Sequence, residues 1–240
     1  MRVLVTRPMP AAQRTAAELA RRGHEPVLLP LTQAEHRLET LRPAPPPETT
    51  ALAVSSAEAI RALAALPDGE RCPYLDLPVF AVGQTTAAAA RELGFRHVET
   101  GTGDGEALAR LLLATLSLEP THPILYLAGH PRSPEFEQRM SDASRPMQVR
   151  ECYRMVPISW NPVAMSAKLT PLPDCVLLYS SDTARQFTAL LSATGLAAPI
   201  EKSFRFLCLS HKIAATLPEE FQTRAVWSME PREDLLLDLI

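Results

Sequence analysis

Leu178-Tyr179-Ser180-Ser181-Asp182-Thr183-Ala184 repeats the pattern of Ala53-Val54-Ser55-Ser56-Ala57-Glu58-Ala59. In both stretches an apolar run meets two serines and then residues with helical spacing, as where a buried strand enters a helix. Further along, Ala81-Val82-Gly83-Gln84-Thr85-Thr86-Ala87 corresponds to Cys208-Leu209-Ser210-His211-Lys212-Ile213-Ala214, and Asp104–Leu112 to Arg232–Ile240. A third echo links Val3–Pro8, a helix and Val27–Leu31 to Ile124–Pro131, a helix and Met147–Tyr153. A repeat of this length predicts two similar lobes, each of about five strand–helix units.

The strands expected are Val3–Val5, Val27–Leu31, Ala51–Val54, Val79–Val82, Ile124–Leu127, Val176–Tyr179 and Phe204–Leu209. Helical segments alternate with them at Ala11–Arg22, Glu58–Leu66, Thr86–Leu93, Ala107–Leu116 and Thr183–Leu191. Apolar strands separated by helices predict an α/β fold of parallel sheets covered on both faces. Gly23 and Gly94 stand where helices stop, and Arg42–Pro47, with its four prolines, reads as a surface loop. The unit at the start of the chain matches the one that closes the first long repeat, so the order is permuted. Residues 1–32 plus 157–240 are expected to form one lobe and residues 38–148 a second, inserted lobe. Residues 33–37 and 149–156 are the connecting strands, and a ligand cleft is expected between the lobes.

Composition narrows the function. The chain has 240 residues, 46% hydrophobic and 21% charged, with a formal net charge of −3. That balance argues against a nucleic-acid coat or a membrane-surface protein, and no apolar run approaches a membrane span. Met1–Pro8 reads as a first strand, not a secretion signal. Cys72, Cys152, Cys175 and Cys208 form no C-x-x-C pair, which points to reduced thiols in the cytoplasm. His24, His36, His97, His122, His130 and His211 lack metal-ligand spacing, so no metal is expected. There is neither a G-x-S-x-G elbow nor a Walker A sequence, and Glu106 replaces the third glycine after Gly101-Thr102-Gly103-Asp104-Gly105. The last segment reads as a flexible strand-to-helix loop.

What remains is a set of hydroxyls at strand carboxyl ends: Thr6, Ser55, Ser56, Thr85, Thr86, Ser180, Ser181 and Ser210. The plain reading of each is a helix cap. Their recurrence in both halves predicts several helix N-termini facing one ligand, an arrangement suited to carboxylates or phosphates. Arg7, Arg132, Arg185 and Lys212 lie near those ends and could add charge, though singly each reads as a solvated side chain.

Over essentially its whole length the chain resembles the uroporphyrinogen-III synthase family. The resemblance rests on Val3-Leu4-Val5-Thr6-Arg7-Pro8, the helix ending at Gly23, Val54-Ser55-Ser56, Ala81–Ala87, Leu127-Ala128-Gly129, Cys152-Tyr153 and Leu178-Tyr179-Ser180-Ser181. It implies two flavodoxin-like lobes joined by a two-stranded connection. It implies an enzyme without a cofactor, a cyclising hydro-lyase acting on hydroxymethylbilane, a small linear tetrapyrrole rich in carboxylates. A monomer with no nucleic-acid or membrane partner is expected. The non-catalytic alternative is a two-lobed polyanion binder on the same scaffold. By the resemblance Tyr153 is the catalytic candidate, donating to the leaving hydroxyl. Thr6, Arg7, Ser55, Ser56, Gly83, Thr86, Gly129, His130, Ser180, Ser181, Ser210 and Lys212 are the substrate-binding candidates. The chain departs from the family at Ile213, where a threonine is usual, and Lys212 is the candidate replacement for that contact.

Overall fold

The computed structural model describes residues 1–116, 123–193 and 204–240. It divides into two compact units, Met1–Gln33 with Val156–Ile240, and Ala34–Met155. The chain opens in the first unit with β1 (Arg2–Val5), α1 (Ala11–Arg21) and β2 (Glu25–Leu28). Strand β3 (Thr32–His36) leads into the second unit, which continues through α2 (Leu38–Leu41), β4 (Ala51–Val54), α3 (Ala57–Ala64) and α4 (Asp68–Leu75). Then follow β5 (Val79–Ala81), α5 (Gln84–Leu93), β6 (Val98–Thr100), α6 (Gly105–Thr115), β7 (Ile124–His130) and α7 (Glu135–Asp142). Strand β8 (Met147–Pro157) returns to the first unit. There lie α8 (Pro162–Lys168), β9 (Cys175–Leu178), α9 (Ser181–Ala193), β10 (Arg205–Cys208), α10 (His211–Ala214), α11 (Glu219–Gln222), β11 (Ala225–Trp227) and α12 (Glu233–Leu237).

The sheet of the first unit runs β2-β1-β9-β10-β11, all parallel. In the second unit β8-β7-β4-β5-β6 are parallel in the same relative order, with β3 beside β8 at the edge. The second unit therefore has the topology of the first but begins at a different strand. Strand order reverses between β1 and β9 in one sheet and between β7 and β4 in the other. Crevices that hold ligands in such sheets open outside the carboxyl ends at these reversals.

The inner strands are buried on both faces, as parallel sheets covered by helices require. Ala51–Val54 and Cys175–Leu178 are wholly inaccessible to solvent. In β4, Leu52 and Val54 pack with Leu125, Leu127, Cys152 and Ala87, while Ala51 and Ala53 pack with Phe80, Tyr126 and Phe136. Helix stops follow the sequence: Gly23 has φ +81° after α1 and Gly94 has φ +110° after α5. These are left-handed conformations that side chains resist.

Most expected strand ends shift by at most a single residue, and two strands shift further. The strand expected at Val27–Leu31 is found at Glu25–Leu28 and includes Pro26. A proline is admitted because β2 is an edge strand, where a missing N–H need not break a ladder. The strand expected at Ile124–Leu127 continues to His130. Strands β6 and β11 carried no clear sequence signal, being three residues long and part-exposed. Among the described residues no helix is long and apolar enough to cross a membrane.

The core of the first unit is centred on Phe206, fully buried and ringed by Phe204, Phe187 and Phe221 at 5.2, 6.4 and 5.0 Å between centroids. Phe206→Ala is expected to cost about 3–5 kcal/mol, because its neighbours cannot collapse fully into the space left behind. Thermal or denaturant unfolding checks this; a loss below about 1 kcal/mol would show that Phe206 does not organise that core.

Candidate active site

Strand alternation places the two serines after β4 on opposite faces of the sheet. Ser56 falls on the side of Leu52 and Val54, and Ser55 on the side of Ala51 and Ala53. Ser56 caps α3, its hydroxyl accepting the Glu58 N–H at 3.1 Å. It also stands close enough to Tyr153 to act on that phenol's ionisation. Ser55 Oγ lies 2.7 Å from the Tyr126 hydroxyl. One phenol from β7 and one from β8 thus meet the end of β4.

Tyr153 is held by an unusual approach. A bulge between Ala128 and Gly129 sets Gly129 opposite Tyr153. A methyl group at Gly129 would fall within the Tyr153 ring, so the phenol occupies the space of the missing side chain. Burial pushes the Tyr153 hydroxyl above its ordinary ionisation, against a smaller lowering by Ser56. It stays protonated at neutral pH and is suited to donate.

Ser55, Tyr126 and Tyr153 line a cavity of about 520 Å³, with Val82, the Gly103–Glu106 segment and Arg132–Phe136 less Pro134 among the other walls. The charges around it have both signs. Asp104, Glu106 and Glu135 face Arg132. The Arg132 side chain bonds Glu137 and Glu151 at 2.5 and 2.6 Å. Hydrogen bonds donated to Glu137, against the opposing effect of burial, and to Glu151 raise the guanidinium pKa, so the charge is fixed but already paired. Arg185 is likewise paired, with Asp182.

A scan against known families supplies the assignment. The model of uroporphyrinogen-III synthase HemD matches residues 13–238. The chain belongs to the uroporphyrinogen-III synthase family. The crystal structure of uroporphyrinogen-III synthetase from Helicobacter pylori 26695 superposes with a TM-score of 0.67 at 16% identity, covering 100% of this chain and 98% of that one. A mutant uroporphyrinogen III synthase from Thermus thermophilus gives 0.50 at 16% identity, covering 100% and 96%. At such identity the likeness concerns the fold, which is the mixed α/β arrangement of two parallel sheets described above. None of the curated proteins matches the chain.

The other candidates of this uroporphyrinogen-III synthase family member divide by unit. In the second unit Gly83 is the N-cap of α5 and offers no side-chain bond, so that helix N-terminus is bare. Thr86 is buried in the first turn of α5 and does not line the cavity. His130 is exposed and borders a neighbouring hollow with Glu137 and Glu151. In the first unit Thr6 is buried and its hydroxyl donates to the Leu177 carbonyl at 2.8 Å. Arg7 bonds Glu233 at 2.7 Å and stacks on Tyr179, so its charge too is paired. Burial alone would raise the Glu233 carboxyl pKa; hydrogen bonds from Thr15, Arg7 and Tyr179 outweigh it and hold the group below the usual range. Ser180 caps α9 through the Thr183 N–H, Ser181 is the first residue of that helix, and Ser210 precedes the short α10 without a side-chain cap bond. Lys212 is exposed, while Ile213 faces the core of the first unit. For Ser56 and Ser180 the capping reading is therefore fulfilled, and for Ser56 it coexists with a phenol contact.

Cysteine offers no nucleophile in the cores. Burial pushes the Cys152 and Cys208 thiols up to about 12 and Cys175 up to about 11, so all three are protonated at neutral pH. Tyr126 and Gly105 escaped the list of candidates: a tyrosine inside an apolar run reads as core, and only strand pairing shows what its hydroxyl meets.

Burial raises the ionisation of all four tyrosines, Tyr74, Tyr126, Tyr153 and Tyr179. The folded protein should thus show no tyrosine ionising near the ordinary value of about 10. Gly129→Ala is expected to displace Tyr153 and bring one phenol toward that value, read by ultraviolet titration. An unchanged titration would mean that Tyr153 does not need the gap at Gly129.

Proposed function

We propose that the chain cyclises hydroxymethylbilane to uroporphyrinogen III without a cofactor. Family membership supports the reaction, and the observation in this chain that carries it is a protonated, buried phenol, Tyr153, held over Gly129 at the wall of a cavity.

The difficulty of the reaction is regiochemical. Loss of the terminal hydroxyl as water leaves an azafulvene electrophile. Its methylene carbon must bond the substituted α-carbon of the last pyrrole instead of the free one, giving a spiro intermediate. The older bond from that α-carbon to its neighbouring methylene then breaks. The released methylene bonds the formerly free α-carbon, which loses its proton, and the ring is inverted. No electrons are exchanged with an outside partner, so the chemistry needs no redox group. Catalysis can then come from holding one folded conformation and assisting the departure of water.

Tyr153 is the proposed donor to the departing hydroxyl, a role its raised ionisation suits. Pyrrole N–H groups need acceptors, which Asp104, Glu106 and Glu135 around the cavity could supply. The carboxylate arms need donors, and the bare N-terminus of α5 at Gly83 and Thr86 is suited to them. Further contacts are assigned to Ser55, Ser56, Gly129 and His130, and in the first unit to Thr6, Arg7, Ser180, Ser181, Ser210 and Lys212. We also propose that the protein acts as a monomer in the cytoplasm, a setting its free cysteines suit.

Given freshly made hydroxymethylbilane, the purified protein is expected to yield type III uroporphyrinogen above the spontaneous type I product, measured by chromatography of the oxidised isomers. Type I alone, at the rate of the blank, would refute the reading. Tyr153→Phe should lower kcat on the order of 100-fold with unchanged melting. Wild-type kinetics in that variant would remove Tyr153 from the mechanism.

A further inference from the structure

The contact between Tyr126 and Ser55 joins two hydroxyls, and one of their two protons is left over. Tyr126 is 1% exposed and stands opposite Ala53 in the β4–β7 pairing, two residues before Ser55. Its ring packs against Phe136 at 4.6 Å between centroids, in the core that also holds Ala51 and Ala53. Its hydroxyl is 2.7 Å from Ser55 Oγ, and among the described residues no other hydrogen bond to it is found. Burial raises its ionisation, so the phenol keeps its proton. A buried O–H requires an acceptor, and Ser55 Oγ is the one within reach. Either oxygen could supply the proton of this bond; with Tyr126 as donor its buried O–H is satisfied and Ser55 accepts. Serine has a single proton, which is then left for another partner. Ser55 is half-buried and lines the cavity, so that is where the proton can be given.

We propose that Tyr126 is a positioning residue: it orients the Ser55 hydroxyl as a donor into the cavity, to bond a carboxylate arm of the bilane. The inference rests on the reaction proposed above and adds a specificity-determining pair to it. An arm fixed by Ser55 restricts the fold of the flexible chain, and with it the carbon that is attacked. Without the phenol, the serine proton can turn toward other acceptors, and the hydroxyl can instead accept from a pyrrole N–H. Tyr126 acts through Ser55 and not on the reacting atoms.

The test uses Ser55→Ala, Ser55→Thr, Tyr126→Phe and the Ser55→Ala/Tyr126→Phe double variant, with melting recorded for each. Ser55→Ala and Tyr126→Phe should each raise KM about tenfold, the loss expected for one hydrogen bond to a charged group, and lower the type III fraction. The double variant should be no worse than the poorer single one, since both remove the same oriented donor. Ser55→Thr keeps the hydroxyl and should retain wild-type KM, a rescue that a merely structural role for the site would not show. Additive losses, an unchanged KM in Tyr126→Phe, or a Ser55→Thr variant as poor as Ser55→Ala would each overturn the proposal. If Tyr126→Phe fails to fold, the contrast between Ser55→Ala and Ser55→Thr decides. A wild-type protein making only type I product would overturn the reaction as well. Type III product with a Tyr126→Phe KM unchanged would overturn this inference alone.

Discussion

A strand cannot direct two successive side chains to the same side, and the chemistry of the second unit grows from that constraint at the end of β4. Ser55 and Ser56 leave the strand toward opposite faces, and each is approached by a tyrosine, one from the adjacent β7 and one from β8 beyond it. Tyr126 reaches Ser55 from β7, while Tyr153 reaches Ser56 from β8. Both phenols border one cavity. Displacing either serine by one residue would exchange the faces and break both contacts. Local helix capping uses the same serine that stands near Tyr153, so the start of α3 lies beside the phenol.

The electrostatic character of the molecule is one of paired charge. Arg132 is shared between Glu137 and Glu151, and Arg7 between Glu233 and the face of Tyr179. Such pairs hold side chains in place and add little local field. Recognition of an acidic ligand then has to draw on weaker, directional donors: backbone N–H groups at a helix start and hydroxyls whose protons are oriented by a neighbour. This is a means of choosing a conformation, because each contact depends on angle as well as distance.

Much of the architecture could be read before any coordinates, because parallel strands buried on both faces are continuous apolar runs. Ala51–Val54 matched to the residue, and the paired Val54-Ser55-Ser56 and Leu178-Tyr179-Ser180-Ser181 segments announced equivalent strand ends. What escaped reading was short or depended on pairing. Strands β6 and β11 are too brief for periodicity, and Pro26 conceals the start of β2 until its edge position is known. Helix α4 contains Pro73 and follows Pro67, so its segment carried no helical signal. In the site, Ser55, Ser56 and Tyr153 stood out by their place at strand ends or by resemblance. Tyr126 did not, since register with Ala53 is a property of the sheet and not of a sequence window. The pairing of Arg132 and Arg7 was hidden for a similar reason: their partners lie on other elements, up to Glu233.

The division of the chain has a consequence for its birth on the ribosome. Ala34–Met155 is continuous, so every strand that its sheet requires has been made before synthesis passes β8. Its companion unit is different: β1 and β2 are made before the intervening unit, and β9, which flanks β1, only after it. During that interval the apolar Val3–Val5 segment has no permanent neighbour on one side. Vectorial synthesis thus leaves β1 waiting for β9 while the second unit is made, and shielding it during that wait is a demand that the permuted order places on the cell rather than on the finished fold.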